Sequence, residues 1–306
     1  MSPCSDTTPP ELRLFSPAKV NLMLSVHGRR NDGFHALTSL VAPLEFGDYL
    51  TIREAASHDQ LLCSDPRVPI GDKNLILQAA TVFRSACGRA PYFLFELEKH
   101  IPMQAGLGGG SSNAAVALRG MNQWMGHPLS HAELLELAAQ IGSDCPFFID
   151  AKPAVIRGRG EIVEPLSPEL SVHIAQAKLL LFRPELGVDT AWAYQQLAGL
   201  APSGYESEAV AQQRLQQFDQ DGDWSALMAN SLELPVGTKY LAIPCLLQRL
   251  RDAGVDCMLS GSGSCCVARV ASEAQVEKVF KIIRDAWGDA VFVVETSVAQ
   301  IESKAR

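Results

Sequence analysis

Residues 102–115 have the sequence PMQAGLGGGSSNAA, and this stretch says more about the fold than any other part of the chain. It lies between Tyr92–Glu98, which alternates as a strand does, and Asn113–Trp124, which is rich in helix-forming residues. Four glycines within residues 106–110 let the backbone adopt positive φ and approach a ligand without an intervening Cβ. A helix beginning near Ser111 would direct its free amides and the positive end of its dipole at the same loop. We therefore predict a binding site for a polyanion such as a phosphate chain.

A glycine-rich turn that only packs a helix tightly against a sheet is the structural alternative. The glycine density, followed at once by Ser111 and Ser112, favours phosphate binding, because two hydroxyls could bond phosphate or a phosphate-bound magnesium. A P-loop is excluded, since no Lys or Arg occurs between Met103 and Leu118. A dinucleotide-binding fingerprint needs a glycine three residues after Gly108, where Ser111 stands.

Two charged residues are candidates for chemistry at this site. Asp144 lies in IGSDCPFF (residues 141–148), at a predicted helix end, where it is either a turn-stabilising or a functional carboxylate. Lys19 lies in an apolar, strand-like run, PAKVN (residues 17–21), and a buried lysine is unusual unless it is paired. Asp144 is a candidate partner. Phosphoryl transfer uses a base for the accepting hydroxyl and a cation near the moving phosphoryl group.

Further segments have weaker signals. GRRNDGFH (residues 28–35) predicts a tight turn or hairpin. Within it, Phe34 could be a core ring and His35 a turn histidine. SGSGS (residues 260–264) links two predicted strands and by itself favours a flexible hairpin. SHAE (residues 130–133) predicts a helix capping box.

Composition narrows the class of protein. The chain has 306 residues, of which 47% are hydrophobic and 20% charged, which is typical of a globular protein. Its net charge of −8 and the lack of a Lys/Arg run argue against nucleic-acid binding. No apolar stretch is long enough to cross a membrane, and the first ten residues lack the apolar segment of a secretory signal. Eight cysteines without C-x-x-C spacing predict free thiols in a reducing cytoplasm and no zinc site.

The order of predicted elements indicates an α+β protein with two domains. The last third alternates helix, strand, strand, helix and strand, which predicts an antiparallel sheet with helices on one face. Two prolines near residues 164–168 mark a plausible junction. We therefore predict domains at residues 1–165 and 166–306.

Six segments together resemble the GHMP kinase superfamily: residues 17–22, 28–35, 72–76, 102–115, 142–147 and 259–263. The resemblance extends from about residue 15 to residue 293 and is weakest at residues 202–234. It implies a two-domain GHMP kinase architecture. The expected parts are a ribosomal-protein-S5-domain-2-like N-terminal domain that binds ATP and a ferredoxin-like α/β sandwich as the C-terminal domain.

Within this superfamily the chain is most similar to the branch of 4-diphosphocytidyl-2-C-methyl-D-erythritol kinases, and residues 28–35 are the segment that narrows the substrate. The resemblance implies transfer of the ATP γ-phosphate to a tertiary 2-hydroxyl in non-mevalonate isoprenoid biosynthesis, with Mg²⁺ held by residues that remain unassigned. It implies a cytidyl diphosphate-linked small-molecule substrate, neither nucleic acid nor membrane as a partner, and a monomer or homodimer. The alternatives are a GHMP kinase for a mevalonate-, homoserine- or sugar-like alcohol, a non-catalytic nucleotide-binding protein, and an NAD-dependent oxidoreductase.

The resemblance also implies roles for individual residues. Asp144 would accept or orient the hydroxyl proton, Lys19 would keep Asp144 ionised, and Asn21 would bind substrate beside them. The ring of Phe34, where the family commonly has Tyr, would lie beneath the cytosine, with polar contacts from His35 and a second ring from Tyr194. The residues implied in ATP binding are Asn74, Lys99, Pro102, Gly106, Leu107, Gly108, Gly109, Gly110, Ser111, Ser112 and Asn113. Gln104 stands where the family usually has a small residue.

Overall fold

The computed structural model describes residues 10–175 and 177–299, within which the chain forms ten strands and eleven helices. The first nine residues, including Cys4, lie outside these ranges. The strands are β1 (Leu12–Arg29), β2 (His35–Ala55), β3 (Gln60–Cys63), β4 (Tyr92–Glu98), β5 (Ala154–Gly158), β6 (Ile162–Pro165), β7 (Lys178–Arg183), β8 (Cys257–Leu259), β9 (Cys266–Val270) and β10 (Phe292–Ser297). The helices are α1 (Leu75–Cys87), α2 (Gly109–Trp124), α3 (His131–Ile141), α4 (Cys145–Asp150), α5 (Pro168–Ala175), α6 (Thr190–Gly199), α7 (Glu208–Asp221), α8 (Trp224–Leu227), α9 (Glu233–Lys239), α10 (Ala242–Asp252) and α11 (Glu273–Trp287).

The chain divides into two compact units, each drawn from separate segments. Unit 1 contains the described residues up to Ser16, together with Gly47–His100 and Gly110–Ile149. Unit 2 contains Pro17–Phe46, Ile101–Gly109 and the described residues from Asp150 onward. These units are not continuous in sequence. The boundary between continuous domains at residues 165 and 166 stays a prediction.

Unit 1 combines a sheet with α1, α3 and nearly all of α2 and α4. In this unit β2 pairs antiparallel with β4, and β3 pairs parallel with β4. The predicted strand Tyr92–Glu98 is β4, and its alternate residues Phe93 and Phe95 are fully buried. The predicted capping box is confirmed: Ser130 Oγ accepts from Glu133 N, while the Glu133 carboxylate accepts from Ser130 N. This box fixes the start of α3, the helix that leads to Asp144.

Unit 2 contains a four-stranded antiparallel sheet in the order β10-β7-β9-β8. In sequence order these are the fourth, first, third and second strands, which is the ferredoxin-like arrangement expected for the C-terminal domain. One face of β7 packs on a cluster that includes residues of α6, α9, α10 and α11. The other face is also buried, in a cluster with residues of β1, α7 and α8.

The burial of both faces corrects the expectation that this sheet packs on one face only. The strand β7 contains the apolar run Leu179–Phe182, and all four of these residues are buried. Leu179 and Leu181 belong to one core cluster, whereas Leu180 and Phe182 belong to the other. A continuous apolar run, in place of strict alternation, is typical of a strand that is covered on both sides.

The strand β2 contains a glycine in its interior. It is continuous through Gly47. A Cβ at Gly47 would overlap the carbonyl oxygen of Ser16 and the ring of Phe15. The glycine therefore allows the β1 backbone to come close, and it does not interrupt the strand.

Two further features bear on membrane insertion and on the state of the cysteines. Among the described residues, no helix has the length and apolar character required to cross a lipid bilayer. The seven cysteines within the described ranges are all free thiols, as predicted.

We predict that Ser130→Ala lowers the free energy of unfolding by about 1 kcal/mol, because the amide of Glu133 loses its side-chain acceptor. Chemical denaturation measures this change. Ser130→Thr, which keeps the hydroxyl, serves as the control and should lose much less. Equal stability of the alanine variant and the unchanged protein would contradict the cap assignment.

Candidate active site

The glycine loop adopts the backbone conformation that its sequence predicts. Gly106 and Gly108 have positive φ values of 74° and 69°, which glycine adopts without steric cost. Gln104, where the family usually has a small residue, also has a positive φ of 52°. Its side chain lies against Gly187, at which a Cβ would overlap the side-chain amide.

The loop is held in unit 2 by residues 260–264. A Cβ at Gly106 would overlap the carbonyl oxygen of Ser260, so the two backbones meet at a distance that only glycine permits. Cys265 N donates to Ala105 O (3.2 Å), and Ser260 Oγ donates to Gly106 O (3.3 Å). Ser260, Ser262 and Ser264 are buried, so the segment is a packed support and differs from the flexible hairpin that its sequence alone favours.

The helix α2 begins at Gly109, earlier than the predicted start near Ser111. The first two residues of the helix, Gly109 and Gly110, therefore have no side chains, and Gly110 is exposed. A Cβ at Gly110 would find its nearest neighbour, Leu75 Cδ1, at an ordinary contact distance of 3.6 Å. The fold of unit 1 thus gives no steric reason for glycine at position 110.

The side chains of Ser112 and Asn113 point into the interior of unit 1. Ser112 Oγ and Ser16 Oγ are 2.8 Å apart, and Asn113 Nδ2 donates to Ser16 Oγ (2.9 Å) and to Asp48 Oδ2 (2.9 Å). These contacts use the polar side-chain atoms of two predicted ATP-binding residues. The free backbone amides of α2 come just before these two residues, because the helix begins at Gly109, and they are the groups that suit a phosphate.

A buried ion pair anchors the same network. Asp48 is fully buried and accepts from Lys99 Nζ (2.6 Å) and from His100 N (2.7 Å). The ammonium of Lys99, a predicted ATP contact, thus binds a carboxylate inside unit 1. Sequence reasoning missed Asp48. The available signal was an acid inside an otherwise apolar strand, where a buried charge requires a partner.

Asp144 lies in the turn between α3 and α4 and is half-buried. Burial raises the pKa of its neighbour Cys145 to about 12, an increase that the hydrogen bond to the Ser111 side chain partly opposes, so this thiol stays neutral. The Ser111–Cys145 contact brings the Asp144 turn to the first turn of α2. Unit 1 therefore brings together Ser111 and the segment that carries the predicted acid.

Lys19 and Asn21 lie on the same face of β1, as alternate residues of a strand do. Lys19 is only 7% exposed, and its Nζ donates to Asn21 Oδ1 at 2.6 Å. Asn21 Nδ2 in turn donates to Ser39 Oγ (2.8 Å). The backbone of Lys19 donates to Leu107 O (3.0 Å), which joins β1 to the glycine loop within unit 2. The pairing of Lys19 with Asp144 stays a prediction, since the two residues belong to different units.

Three further residues that are predicted to bind ATP also have roles in the local structure. Asn74 is the N-cap of α1: its Oδ1 accepts from Ile76 N (2.9 Å) and its Nδ2 donates to Pro69 O (2.7 Å). Leu107 is buried in the core of unit 2, and Pro102 is half-buried in the loop that leads to it. Contact between ATP and these three residues stays a prediction.

The predicted turn at residues 28–35 closes the hairpin between β1 and β2, where Arg30 N donates to Phe34 O at 2.7 Å. Phe34 is 48% exposed, so it is not a core ring. The His35 ring lies 5.1 Å from that of Tyr194 and 5.9 Å from that of Tyr205, measured between centroids. Tyr205 was not predicted as a site residue.

His35 has an unmatched polar atom. Its Nε2 is buried and has no hydrogen-bond partner in the part of the chain that the structure describes. Burial, and to a smaller extent the charge of Arg29, lower the pKa of His35, which favours the neutral imidazole. A buried polar atom without a partner is costly, and it points to a ligand that supplies the missing hydrogen bond.

Comparison with known proteins is consistent with these features. The sequence profile of the GHMP kinases N terminal domain matches residues 74–152, and that of the GHMP kinases C terminal matches residues 207–290. The 4-diphosphocytidyl-2-C-methyl-D-erythritol kinase of Protochlamydia amoebophila is 38% identical over 254 residues, which cover 83% of this chain and 82% of the relative. The kinase of the same name from Gloeobacter violaceus is 35% identical over 300 residues, 95% of this chain and 96% of the relative.

Solved structures agree with the sequence comparison. A crystal structure of 4-(cytidine 5'-diphospho)-2C-methyl-D-erythritol kinase superposes with a TM-score of 0.76 and 29% identity, covering 94% of this chain and all of the other. Homoserine kinase from Cytophaga hutchinsonii, at 18% identity, shares the fold with a TM-score of 0.71, covering 97% of each chain. The chain belongs to the GHMP kinase family and is an ATP-dependent kinase.

Proposed function

We propose that this kinase transfers the γ-phosphate of ATP to the tertiary 2-hydroxyl of 4-diphosphocytidyl-2-C-methyl-D-erythritol. The observation that supports this substrate most directly is the β1–β2 hairpin, where an exposed aromatic ring adjoins a buried histidine nitrogen that has no partner among the described residues. A pyrimidine base fits both features, because its face can stack on a ring and its edge carries hydrogen-bonding groups. The relatives with this substrate in their names support the same assignment.

The cytidine end of the substrate would occupy this hairpin. The ring of Phe34 would stack on the cytosine, and Tyr194, whose ring is next to His35, would provide the second ring. Nε2 of neutral His35 would form a hydrogen bond with the base. Such a bond would satisfy an atom that has no partner within the described ranges of the chain.

At the other end of the substrate, where the phosphoryl group is transferred, the protein would contribute charge and positioning more than covalent chemistry. Amides of the glycine loop and of the first turn of α2 would hold the triphosphate. Asp144 would accept or orient the proton of the attacking hydroxyl, and Lys19 would stabilise charge on the transferring phosphoryl group. Asn21, which already binds Lys19 Nζ, would orient both the ammonium and the substrate.

Mg²⁺ fits this arrangement as an ion held mainly by the substrate. The described residues contain no cluster of three or more His, Cys, Asp or Glu side chains suited to a metal. Mg²⁺ in kinases keeps several waters and binds through few protein groups plus the phosphates. The Ser111 hydroxyl and the Asp144 carboxylate are the groups in unit 1 that would contribute. The ion would neutralise charge on the phosphates.

We further propose that the protein acts in the cytoplasm as a monomer or homodimer, without nucleic-acid or membrane partners. The free thiols of its described cysteines support a reducing compartment. Its net charge of −8 disfavours association with a phosphate backbone.

The substrate assignment predicts selective turnover. Purified protein with ATP and Mg²⁺ should phosphorylate 4-diphosphocytidyl-2-C-methyl-D-erythritol and leave mevalonate, homoserine and galactose unchanged, as measured by ADP release and product mass. Turnover of one of the latter three alone would overturn the assignment. Absence of turnover with all four would also overturn it and would point to a different acceptor alcohol.

Asp144→Asn should lower kcat by roughly 10²-fold or more, because the amide cannot accept the hydroxyl proton. ATP affinity, measured by calorimetry, should stay near its original value. Glu136→Gln, an exposed substitution on α3, is the matched control and should leave kcat unchanged. An Asp144→Asn variant with the original kcat would remove the assigned role.

Gly110→Ala separates the stability of the helix from phosphate binding. Because there is room for a Cβ at this position, the variant should unfold at the same or a higher temperature. The added methyl group should nevertheless keep the phosphates from the first-turn amides and weaken ATP binding by about tenfold or more, or ~1.4 kcal/mol. Unchanged ATP affinity would show that the phosphates do not approach this turn.

A further inference from the structure

The hairpin that carries Phe34 has an excess of positive charge. Arg29 and Arg30 are exposed on it and Arg159 lies beside it, against two carboxylates, Asp32 on the hairpin and Glu161 on the turn of Arg159. Arg30 Nε donates to Asp32 Oδ2 at 3.0 Å, so the carboxylate of Asp32 is already paired. Burial raises the pKa of Asp32, but hydrogen bonds from Phe34 N and Arg30, with the charges of Arg30 and Arg159, lower it overall. On a protein with a net charge of −8, a local positive excess suits an anionic ligand.

Strand register places Arg159 at this hairpin. Within unit 2, β2 pairs antiparallel with β5, and Leu37 is opposite Gly158. The turn between β5 and β6 therefore lies next to the turn between β1 and β2. Arg159 N donates to Glu161 Oε2 at 2.6 Å, which holds the backbone of the β5–β6 turn in place.

The guanidinium of Arg159 lies over the ring of Phe34, with Cζ at 4.9 Å from the ring centroid. This distance is within the range of a cation–π interaction. The guanidinium forms no ion pair within the described ranges of the chain. Its five N–H donors, arranged as a planar fork, match the geometry of phosphate oxygens.

We infer that Arg159 is a specificity-determining residue that recognises the diphosphate of the cytidyl substrate, whereas Phe34 and His35 recognise the base. The inference rests on the proposed function, in which the cytosine stacks on Phe34. The diphosphate is attached through the ribose to that base, so it leaves the stacked ring towards the surrounding charges. Arg159 has its charge next to this ring, and Arg30 is already bound to Asp32.

The division of roles is testable with ligands that differ only in charge. Cytidine has the base without phosphate, and cytidine 5'-diphosphate has both groups. Calorimetry of the full chain without ATP should show that Arg159→Met weakens cytidine 5'-diphosphate binding about tenfold and cytidine binding less than twofold. Arg159→Lys, which keeps the charge but not the planar fork, should recover part of the loss. The diphosphate affinity of the unchanged protein should also fall as salt rises.

The matched control is Arg269→Met. Arg269 also lies over an aromatic ring of unit 2, with Cζ at 5.2 Å from the centroid of Trp224, but outside this hairpin. This variant should bind both ligands as the unchanged protein does. In kinetic assays, Arg159→Met should raise KM for the cytidyl substrate about tenfold while kcat stays within twofold.

Each result bears on one of the two proposals. If the unchanged protein binds cytidine and its diphosphate but Arg159→Met loses both equally, Arg159 only supports the ring, and the inference is overturned. Full retention of diphosphate affinity in Arg159→Met overturns it as well. If the unchanged protein binds neither ligand, the proposed substrate is wrong and the inference falls with it. Thermal unfolding of each variant shows whether a loss of affinity is due to misfolding. If Arg159→Met is misfolded, the affinity of Arg159→Lys for cytidine 5'-diphosphate, measured at low and high salt, decides the result.

Discussion

The close approach of two backbones at Gly106 is the constraint on which the candidate site depends. Ser260 packs so tightly on the glycine loop that no side chain fits at position 106. Hydrogen bonds from Cys265 N and Lys19 N to the loop fix it on both sides of this contact. A loop fixed in this way presents its amides without a further loss of conformational entropy when a ligand binds, which is the advantage of a preorganised site.

The start of α2 has a second, chemically different anchor. Ser16, Ser112, Asn113, Asp48 and Lys99 form a buried polar network in unit 1. A buried ion pair seldom adds much stability, since desolvation of the charges offsets their attraction. It does favour one arrangement strongly, because any displacement leaves a buried charge unpaired. We therefore interpret the network as a device that orients the first turn of α2, and Lys99 as part of that device.

The β1–β2 hairpin differs from both anchors because its groups are not satisfied internally. Phe34 is exposed, His35 Nε2 has no partner within the described residues, and Arg159 has no ion pair there. Such exceptions are costly in a folded protein and are concentrated where a ligand completes them. The glycine loop and this hairpin thus contribute differently. The loop is fixed by contacts within the protein before a ligand binds, whereas the polar groups of the hairpin find their partners on the ligand.

Local patterns in the sequence determined much of this protein. Glycine density determined the left-handed loop, the Ser130 capping box determined the start of α3, and the Asn-Asp-Gly turn determined the hairpin. These features depend on residues within four positions of one another, so propensity and spacing describe them. The resemblance carried by six such segments gave the family.

Only the tertiary structure decided the roles that depend on distant partners. It turned Ser112 and Asn113 inward, paired Lys99 with Asp48, extended β2 through Gly47, buried both faces of β7 and placed Arg159 over Phe34. The partners in these contacts come from distant segments, with Phe34 and Arg159 separated by 125 positions, and no local pattern specifies which distant side chain fills a given space. Burial and pairing are properties of the packed core, and the core exists only once such segments have met.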